Sequence, residues 1–186
     1  MKHIFKYQLF LIAALIFTSC SNDDETPTIV NEEEVITTLR AVFTPTTGGG
    51  GAITFQSQDL DGDGPNAPVI TNTGDLDANT TYNVAVTLLN ETESPAEDIT
   101  LEVVEEADEH QMFYLPGVGL NLSLIYSNFD SNGEPLGTRM EATSGDAGTG
   151  NLLIVLRHEP KKPNDGTLVD AGGETDISVS FPITVQ

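Results

Sequence analysis

The sequence predicts an all-β protein, an antiparallel β-sandwich of immunoglobulin-like character, with a small closed β-barrel as the alternative. Apolar and polar residues alternate with a period of two in several segments, which is typical of half-buried strands. The 17 glycines and 10 prolines cluster in turn signals that interrupt the chain about every ten residues, the spacing of sandwiches and barrels. No window of about twelve residues carries a convincing amphipathic helix period.

Three alternating segments are the clearest predicted strands. Residues 81–90 (TYNVAVTLLN), 120–126 (LNLSLIY) and 177–185 (ISVSFPITV) each place apolar side chains at every second position. In the last of them Pro182 removes a backbone donor from the hydrogen-bond ladder. We therefore expect residues 177–185 to form an edge strand.

Two further segments are predicted as strands from a different pattern. Residues 152–156 (LLIVL) are apolar throughout, as expected for a central strand that is covered on both faces. Residues 94–104 contain Pro95 and several acids, which would suit the start of a helix. A strand is favoured there because the apolar residues alternate, namely Ile99, Leu101 and Val103.

The N-terminus has the pattern of a secretory signal peptide, predicted over residues 1–19. Lys2 and Lys6 give it a positive start, and residues 9–17 (LFLIAALIF) are uncharged and apolar. This run is too short for a membrane-spanning helix, which needs about 20 apolar residues. A charged start, a short apolar core and small residues at the end are typical of a cleaved signal.

Cys20 is the only cysteine and stands directly after the predicted signal. The sequence FTSC at residues 17–20 resembles the lipobox of bacterial lipoproteins, which implies that diacylglycerol is attached to Cys20. Two or more acyl chains give stable membrane anchoring. The acids at residues 23–25 resemble those behind the lipidated cysteine of Bacteroidota lipoproteins exported to the cell surface. We expect an acidic tether at residues 20–33 and a single β-sandwich domain at residues 34–186.

This resemblance predicts a lipid-anchored outer-membrane protein that faces the cell surface, with the periplasmic face as the alternative. The formal net charge of the whole chain is −22, and loss of Lys2 and Lys6 with the signal leaves −24. Such a surface repels the phosphates of nucleic acids, so nucleic-acid binding is excluded as a function. Cations, basic partners, an outer-membrane receptor or another envelope protein are the partners that the charge favours.

The whole segment after the predicted signal resembles a group of small flavobacterial lipoproteins. The residues that carry the resemblance are DLDGDGPNAPV (59–69), LNETESPAEDIT (89–100), DEHQMFY (108–114), LRHEP (156–160) and AGGETD (171–176). That group carries the label of a type 1 periplasmic-binding fold, which implies a Rossmann-like α/β protein with a hinged cleft and a solute-binding function. The residues themselves predict the sandwich instead, because alternating βα units are missing from the pattern.

An acidic loop is the first candidate site. Asp59, Asp61 and Asp63 stand at alternate positions before a glycine, as in the first half of an EF-type calcium loop. The twelfth position of such a loop carries a Glu, which this chain lacks there. Further ligands would have to come from elsewhere, such as Asp75 or Asp77. Ca²⁺ is the candidate cofactor, and a solvated turn between strands is the alternative interpretation.

The second candidate site contains both histidines that lie beyond the signal. His110 follows Asp108 and Glu109, and His158 follows the strand at residues 152–156 in inward alternation. Imidazole nitrogen and carboxylate oxygen together suit zinc or another transition metal. If the two strands were neighbours, His110 and His158 would converge, with Asp108 or Glu109 as a third ligand. The alternative is an acidic loop with one hydrogen-bonded histidine.

The sequence does not predict an enzyme. Beyond the signal it contains two histidines and no tryptophan, and no serine lies in a nucleophile-elbow context. The third acidic segment, residues 128–135, is interpreted as a hairpin turn.

The favoured function is a lipid-anchored envelope module that captures a divalent cation or small solute for an outer-membrane receptor. The alternative is a structural or interaction lipoprotein without a small-molecule ligand.

Overall fold

In the computed structural model, residues 34–47, 50–62 and 64–186 are described, and they belong to one compact unit. The predicted signal peptide, Cys20 and the rest of the tether lie outside the described residues, as does Asp63 of the predicted calcium loop. Among the described residues, no helix has the length and apolarity needed to cross a membrane.

The described residues form ten strands and two short helices. In chain order they are β1 (Thr38–Pro45), β2 (Ile53–Gln58), β3 (Val69–Asn72), β4 (Thr81–Asn90), β5 (Glu97–Asp98), α1 (Ile99–Glu105), β6 (His110–Pro116), β7 (Leu122–Tyr126), β8 (Arg139–Ser144), β9 (Gly148–His158), α2 (Leu168–Ala171) and β10 (Glu174–Val185). One sheet has the strand order β3-β2-β1-β4-β8-β7, with β5 beside β4. The other has the order β10-β9-β6.

The prediction of an all-β antiparallel sandwich is confirmed. Neighbouring strands are antiparallel in both sheets, and the sheets do not close into one barrel. The Rossmann-like α/β fold that the family resemblance implied is therefore wrong for this chain. A parallel sheet would require helical crossovers between its strands, and the described residues have none.

Apolar side chains from both sheets fill the space between them. Phe43 of β1 packs edge-on against Phe55 of β2, with ring centroids 5.5 Å apart, and lies 6.0 Å from the ring of Tyr82. Phe55 in turn lies 6.2 Å from Phe181 of β10, so this aromatic group joins the two sheets. Each of these four rings is at most 2% exposed. Burying aromatic rings stabilises the sandwich mainly through the apolar area removed from water.

The strands predicted most clearly lie where the pattern indicated. Residues 81–90 are β4, and their alternate side chains are buried. Residues 152–156 lie in β9, the central strand of its sheet. Their second face is covered too, because Val155 packs with Phe113 and Ala171 in a separate small cluster. Among the named strands, β10, which contains Pro182, pairs only with β9, as expected for an edge strand. Its C-terminal end also bridges to Leu76.

The predicted strand at residues 94–104 is wrong. Only Glu97–Asp98 is extended there, and Ile99–Glu105 forms helix α1. The Asp98 side chain caps the helix by accepting a hydrogen bond from the Thr100 backbone N–H. Ile99 and Val103 are buried, whereas Leu101 is 69% exposed. The buried apolar residues are therefore four positions apart, and this spacing places Ile99 and Val103 on one face of the helix.

Candidate metal centre

Strand pairing places His110 and His158 side by side at one end of the smaller sheet. His110 begins β6, His158 ends β9, and the two are direct cross-strand partners. Their ring centroids are 4.7 Å apart. Both residues are buried, with exposures of 0% and 5%. Two imidazoles thus lie together in a place where water has little access.

Asp176 reaches the histidines because β10 contains a β-bulge. The pairing with β9 passes from Thr175↔Arg157 to Ile177↔Leu156, so Asp176 is the extra residue. Bulges redirect a side chain and are common beside functional sites. Close strand approach also depends on Gly173, which has φ +72° and whose added Cβ would lie 2.3 Å from the His158 carbonyl oxygen. The Asp176 side chain is 2% exposed.

Glu34 supplies a second buried carboxylate from the segment that leads into β1. The Glu34 side chain is 5% exposed, although the residues that precede Glu34 are acidic like those of the predicted tether. Ile36 packs against the core, and the Thr37 backbone N–H donates to the Leu89 carbonyl at 2.9 Å. These two anchors hold the segment against the end of the sandwich, where the Glu34 side chain turns inward.

We call Glu34, His110, His158 and Asp176 the buried tetrad. One oxygen or nitrogen from each of the four lies within 4.8 Å of the others. The Nε2 atom of His110 is 2.9 Å from Oε1 of Glu34 and 3.9 Å from Oδ2 of Asp176. The Nδ1 atom of His158 is 3.9 Å from both carboxylates. Four ligands at about 2.1 Å around a tetrahedral ion would be about 3.4 Å apart, so the spacing fits one ion.

A backbone carbonyl fixes which nitrogen of His110 faces the tetrad as an acceptor. Nδ1 of His110 lies 3.2 Å from the Glu106 carbonyl oxygen. A carbonyl can only accept, so Nδ1 carries the hydrogen, and in the neutral ring Nε2 then holds a lone pair. Histidines that bind metals usually donate their other N–H to a carbonyl or carboxylate in this way.

The tetrad requires positive charge at its centre. Nε2 of His110 and Oε2 of Glu34 are buried atoms without a hydrogen-bond partner in the described part of the chain. A neutral imidazole nitrogen and a carboxylate oxygen repel each other at 2.9 Å, because both are acceptors. Two carboxylates buried beside imidazoles are costly without a compensating positive charge. Either a divalent cation or protons would supply it.

Acids on α1 add to the negative potential beside the tetrad. Burial raises the pKa of the Glu102 carboxyl, and the charges of Glu106, Glu34 and Glu97 raise it further. The turn after α1 is held in place by Lys162, whose Nζ donates to the Ala107 carbonyl at 2.7 Å. A negative potential of this kind attracts cations.

A second group of potential ligands shares His158. Glu109, His158 and Glu159 each offer one ligand atom within 4.8 Å of the others. Oε2 of Glu109 lies 4.0 Å from Nε2 of His158, whereas Nδ1 of the same ring faces the tetrad. The Glu109 side chain is 56% exposed. Asp108, the other predicted third ligand, belongs to neither group. Its Oδ1 accepts a hydrogen bond at 3.0 Å from the Ser131 hydroxyl.

Two of the three acids of the predicted calcium loop, Asp59 and Asp61, belong to the described residues. Oδ2 of Asp61 accepts from the Asn66 side-chain amide at 2.6 Å, and this hydrogen bond lowers the pKa of the exposed Asp61 carboxyl. One Asp59 oxygen is buried and has no hydrogen-bond partner among the described residues. The two acids line a cavity of about 290 Å³. With Asp63 outside the described residues, calcium binding at this loop stays a prediction.

The third acidic turn contains a buried ion pair. The Asp130 carboxylate lies 3.1 Å from Nζ of Lys162, with side-chain exposures of 1% and 8%. Asp130 also accepts hydrogen bonds from the Asn132 and Glu134 backbone N–H groups. These contacts occupy the carboxylate within the protein, in keeping with a turn.

Sequence reasoning singled out His110 and His158 but missed Glu34 and Asp176. Glu34 ends a run of three glutamates at the boundary between the predicted tether and the domain, and an acidic run gives no sign of burial. Asp176 lies three residues after the Gly172-Gly173 pair. Two adjacent glycines can indicate that two backbone segments approach closely, and this is the only feature of the sequence that points to Asp176. No protein-family model, curated protein or solved structure was found to match this chain significantly, so its function must be argued from this geometry.

Proposed function

We propose that this protein is a lipid-anchored β-sandwich of the cell envelope that binds a divalent transition-metal ion, zinc in the first place, at the buried tetrad. The observation that carries the proposal is the meeting of His110 Nε2 and the Glu34 carboxylate at 2.9 Å with neither Nε2 nor Glu34 Oε2 hydrogen-bonded to the described residues. A metal ion between them accepts both lone pairs and cancels the carboxylate charge.

The ligand chemistry favours zinc over calcium at this place. Two nitrogens and two carboxylate oxygens suit Zn²⁺, which binds four ligands at about 2.0 to 2.2 Å. Ca²⁺ prefers six to eight oxygens and more space. Zinc sites that catalyse keep one position open for water, whereas closed sites with four protein ligands hold the ion. The tetrad offers four ligands in a buried place, which supports binding and not catalysis.

The anchor and the charge give the site a context. The lipobox-like Cys20 and the net charge of −24 expected after signal cleavage support a protein held at the outer membrane and surrounded by an attractive field for cations. We propose the cell surface as its location, with the periplasmic face as the alternative. Transfer of the ion to an outer-membrane receptor is the corresponding role for such a module.

Metal titration of the soluble chain tests the proposal. Residues 20–186 carrying Cys20→Ser, which removes the lipid attachment point, would be freed of metal with a chelator and titrated with Zn²⁺ by calorimetry. We expect one ion per chain. Glu34→Gln keeps the shape of the side chain and removes its charge. It should weaken binding by more than about 100-fold, the upper end of what a lost second-shell partner costs.

Asp61→Asn is the matched control, because it removes one carboxylate charge at the calcium loop and leaves the tetrad unchanged. Zinc binding should persist in it. A parallel titration with Ca²⁺ separates the two predicted sites, since a calcium response lost in Asp61→Asn would belong to the loop. If no divalent ion binds to the unaltered chain, the tetrad is a protonated ion network. The alternative of a structural or interaction lipoprotein would then be favoured.

A further inference from the structure

We propose that Glu109 and Glu159, with Nε2 of His158, form an exposed capture site from which a metal ion enters the buried tetrad. This inference rests on the proposed metal binding at the tetrad. It adds a second set of ligands with a distinct task, the loading of the centre.

His158 faces both sites with different nitrogens. Nδ1 lies 3.9 Å from the Glu34 and Asp176 carboxylates, and Nε2 lies 4.0 Å from Glu109. The His158 ring therefore separates the buried ligands from the exposed ones. A neutral imidazole has a lone pair on one nitrogen only, so an ion bound at Nε2 and an ion bound at Nδ1 exclude each other. When the ion moves inward, Nδ1 of His158 loses its proton and Nε2 gains one. The imidazole ring therefore stays neutral.

The backbone holds the two exposed carboxylates near this ring. The Glu159 backbone N–H donates to the Glu109 carbonyl oxygen at 2.7 Å, which ties the end of β9 to the start of β6. Glu159 has φ +48°, a left-handed conformation that residues with a side chain seldom adopt. This conformation ends the strand at His158 and leaves the Glu159 carboxylate within 4.8 Å of its two partners.

An acidic cavity leads to Glu109. It has a volume of about 500 Å³ and is lined by five acids, namely Glu105 at the end of α1, Glu106, Asp108 and Glu109 after it, and Asp130. Of the nearby basic residues, Lys161 pairs with Asp170. Lys162 lies at the wall of this cavity, where its Nζ neutralises Asp130 and donates to the Ala107 carbonyl, so the other four acids leave an excess of negative charge. In the part of the chain described, no lysine or arginine forms a salt bridge with Glu109 or Glu159. A cleft lined by one sign of charge concentrates counter-ions and speeds their binding by about 10- to 1,000-fold.

Stopped-flow binding of Co²⁺ to residues 20–186 with Cys20→Ser tests the capture site. Co²⁺ in a four-coordinate site absorbs visible light, so the signal reports arrival at the tetrad. In the double variant Glu109→Gln and Glu159→Gln we expect the association rate to fall by about tenfold or more. The dissociation rate should fall with it, and the affinity should change by less than about threefold. The double variant Glu141→Gln and Asp146→Asn, which neutralises two exposed acids on β8 and just after it, is the charge-matched control.

Three results would overturn the inference. An association rate in the Glu109→Gln and Glu159→Gln variant equal to that of the charge-matched control would show that the ion enters by another path. A collapse of affinity like that of Glu34→Gln would make Glu109 and Glu159 ligands of the final centre. Failure of the unaltered chain to bind Co²⁺ and Zn²⁺ would remove the proposed function itself, and it is recognised before any variant is compared.

Discussion

Glu34→Gln should change the free energy of unfolding in opposite directions with and without metal. In the metal-free protein, Oε2 of Glu34 is buried and has no hydrogen-bond partner among the described residues, and Oε1 faces the His110 lone pair at 2.9 Å. A Gln amide placed there can donate to that lone pair. Because an unsatisfied buried polar group costs about 1 to 3 kcal/mol, we expect the variant to be more stable by about 1 to 2 kcal/mol.

With zinc the order reverses. At a concentration of 100 times its dissociation constant, an ion stabilises the unaltered protein by about 2.7 kcal/mol. In Glu34→Gln, a 100-fold weaker site at the same concentration gains only about 0.4 kcal/mol. The unaltered protein should therefore melt higher in zinc and lower in chelator. For a domain of this size, each kcal/mol moves the melting temperature by about 2 to 4 °C, so both differences are measurable.

Thermal melts by circular dichroism, in chelator and in Zn²⁺ at about pH 8, are the assay. The competing model is an ion pair between protonated His110 and Glu34, which needs no metal. Removing one partner of a buried pair destabilises by about 3 to 5 kcal/mol, so that model requires Glu34→Gln to melt lower in both solutions. A lower melting temperature in chelator would refute the reasoning based on lone-pair repulsion.

Three other predictions concern the scaffold around the site. Asp130→Asn should destabilise the protein by about 3 kcal/mol at neutral pH, because it breaks the buried pair with Lys162. Burial opposes ionisation of Asp130, but hydrogen bonds from the Glu134 N–H and Lys162 lower its pKa below the ordinary value of 3.8. The stabilisation is thus complete above that value and lost as the pH falls through the lowered pKa, so denaturation curves of variant and unaltered protein should converge in acid. Gly137→Ala should cost about 1 to 3 kcal/mol, since the residue has φ +90° and the new Cβ would lie 2.7 Å from the Tyr126 ring; an unchanged melting temperature would contradict this. Phe181→Leu should cost about 1 to 2 kcal/mol in urea denaturation, because the Phe181 ring, 0% exposed, connects the two sheets.

The sequence pattern sufficed for the strands but not for the helix. β4 and β9 were predictable because a period of two, or a continuous apolar run, extends over five residues or more. In residues 94–104 the large apolar residues are confined to positions 99–104, and Ile99 and Val103 satisfy both a strand and a helix period. The choice depends on Asp98, which caps the helix, and on the burial of only one helix face.

The candidate metal centre was half predictable for a related reason. Burial of His158 followed from the alternation in β9, and the residue types at His110 suggested a ligand. That these two are partners depends on the register between β6 and β9, which is a long-range property. Asp176 faces them only because a bulge shifts the register of β10, and one residue of shift turns a side chain to the other face of a sheet. Glu34 belongs to a polar run that carries no strand pattern at all.

The positions of the four proposed ligands along the chain would couple metal binding to folding. Glu34 precedes a strand of the larger sheet, whereas His110, His158 and Asp176 belong to the smaller one. The tetrad therefore exists only when the two sheets are packed, and an unfolded chain has no comparable site. Binding free energy at such a site appears in full as stability. Asp59 and Asp61, in contrast, are neighbours in sequence, and a site built on them would keep part of its affinity in the unfolded chain. Zinc should therefore raise the melting temperature more than calcium does at equal multiples of their dissociation constants.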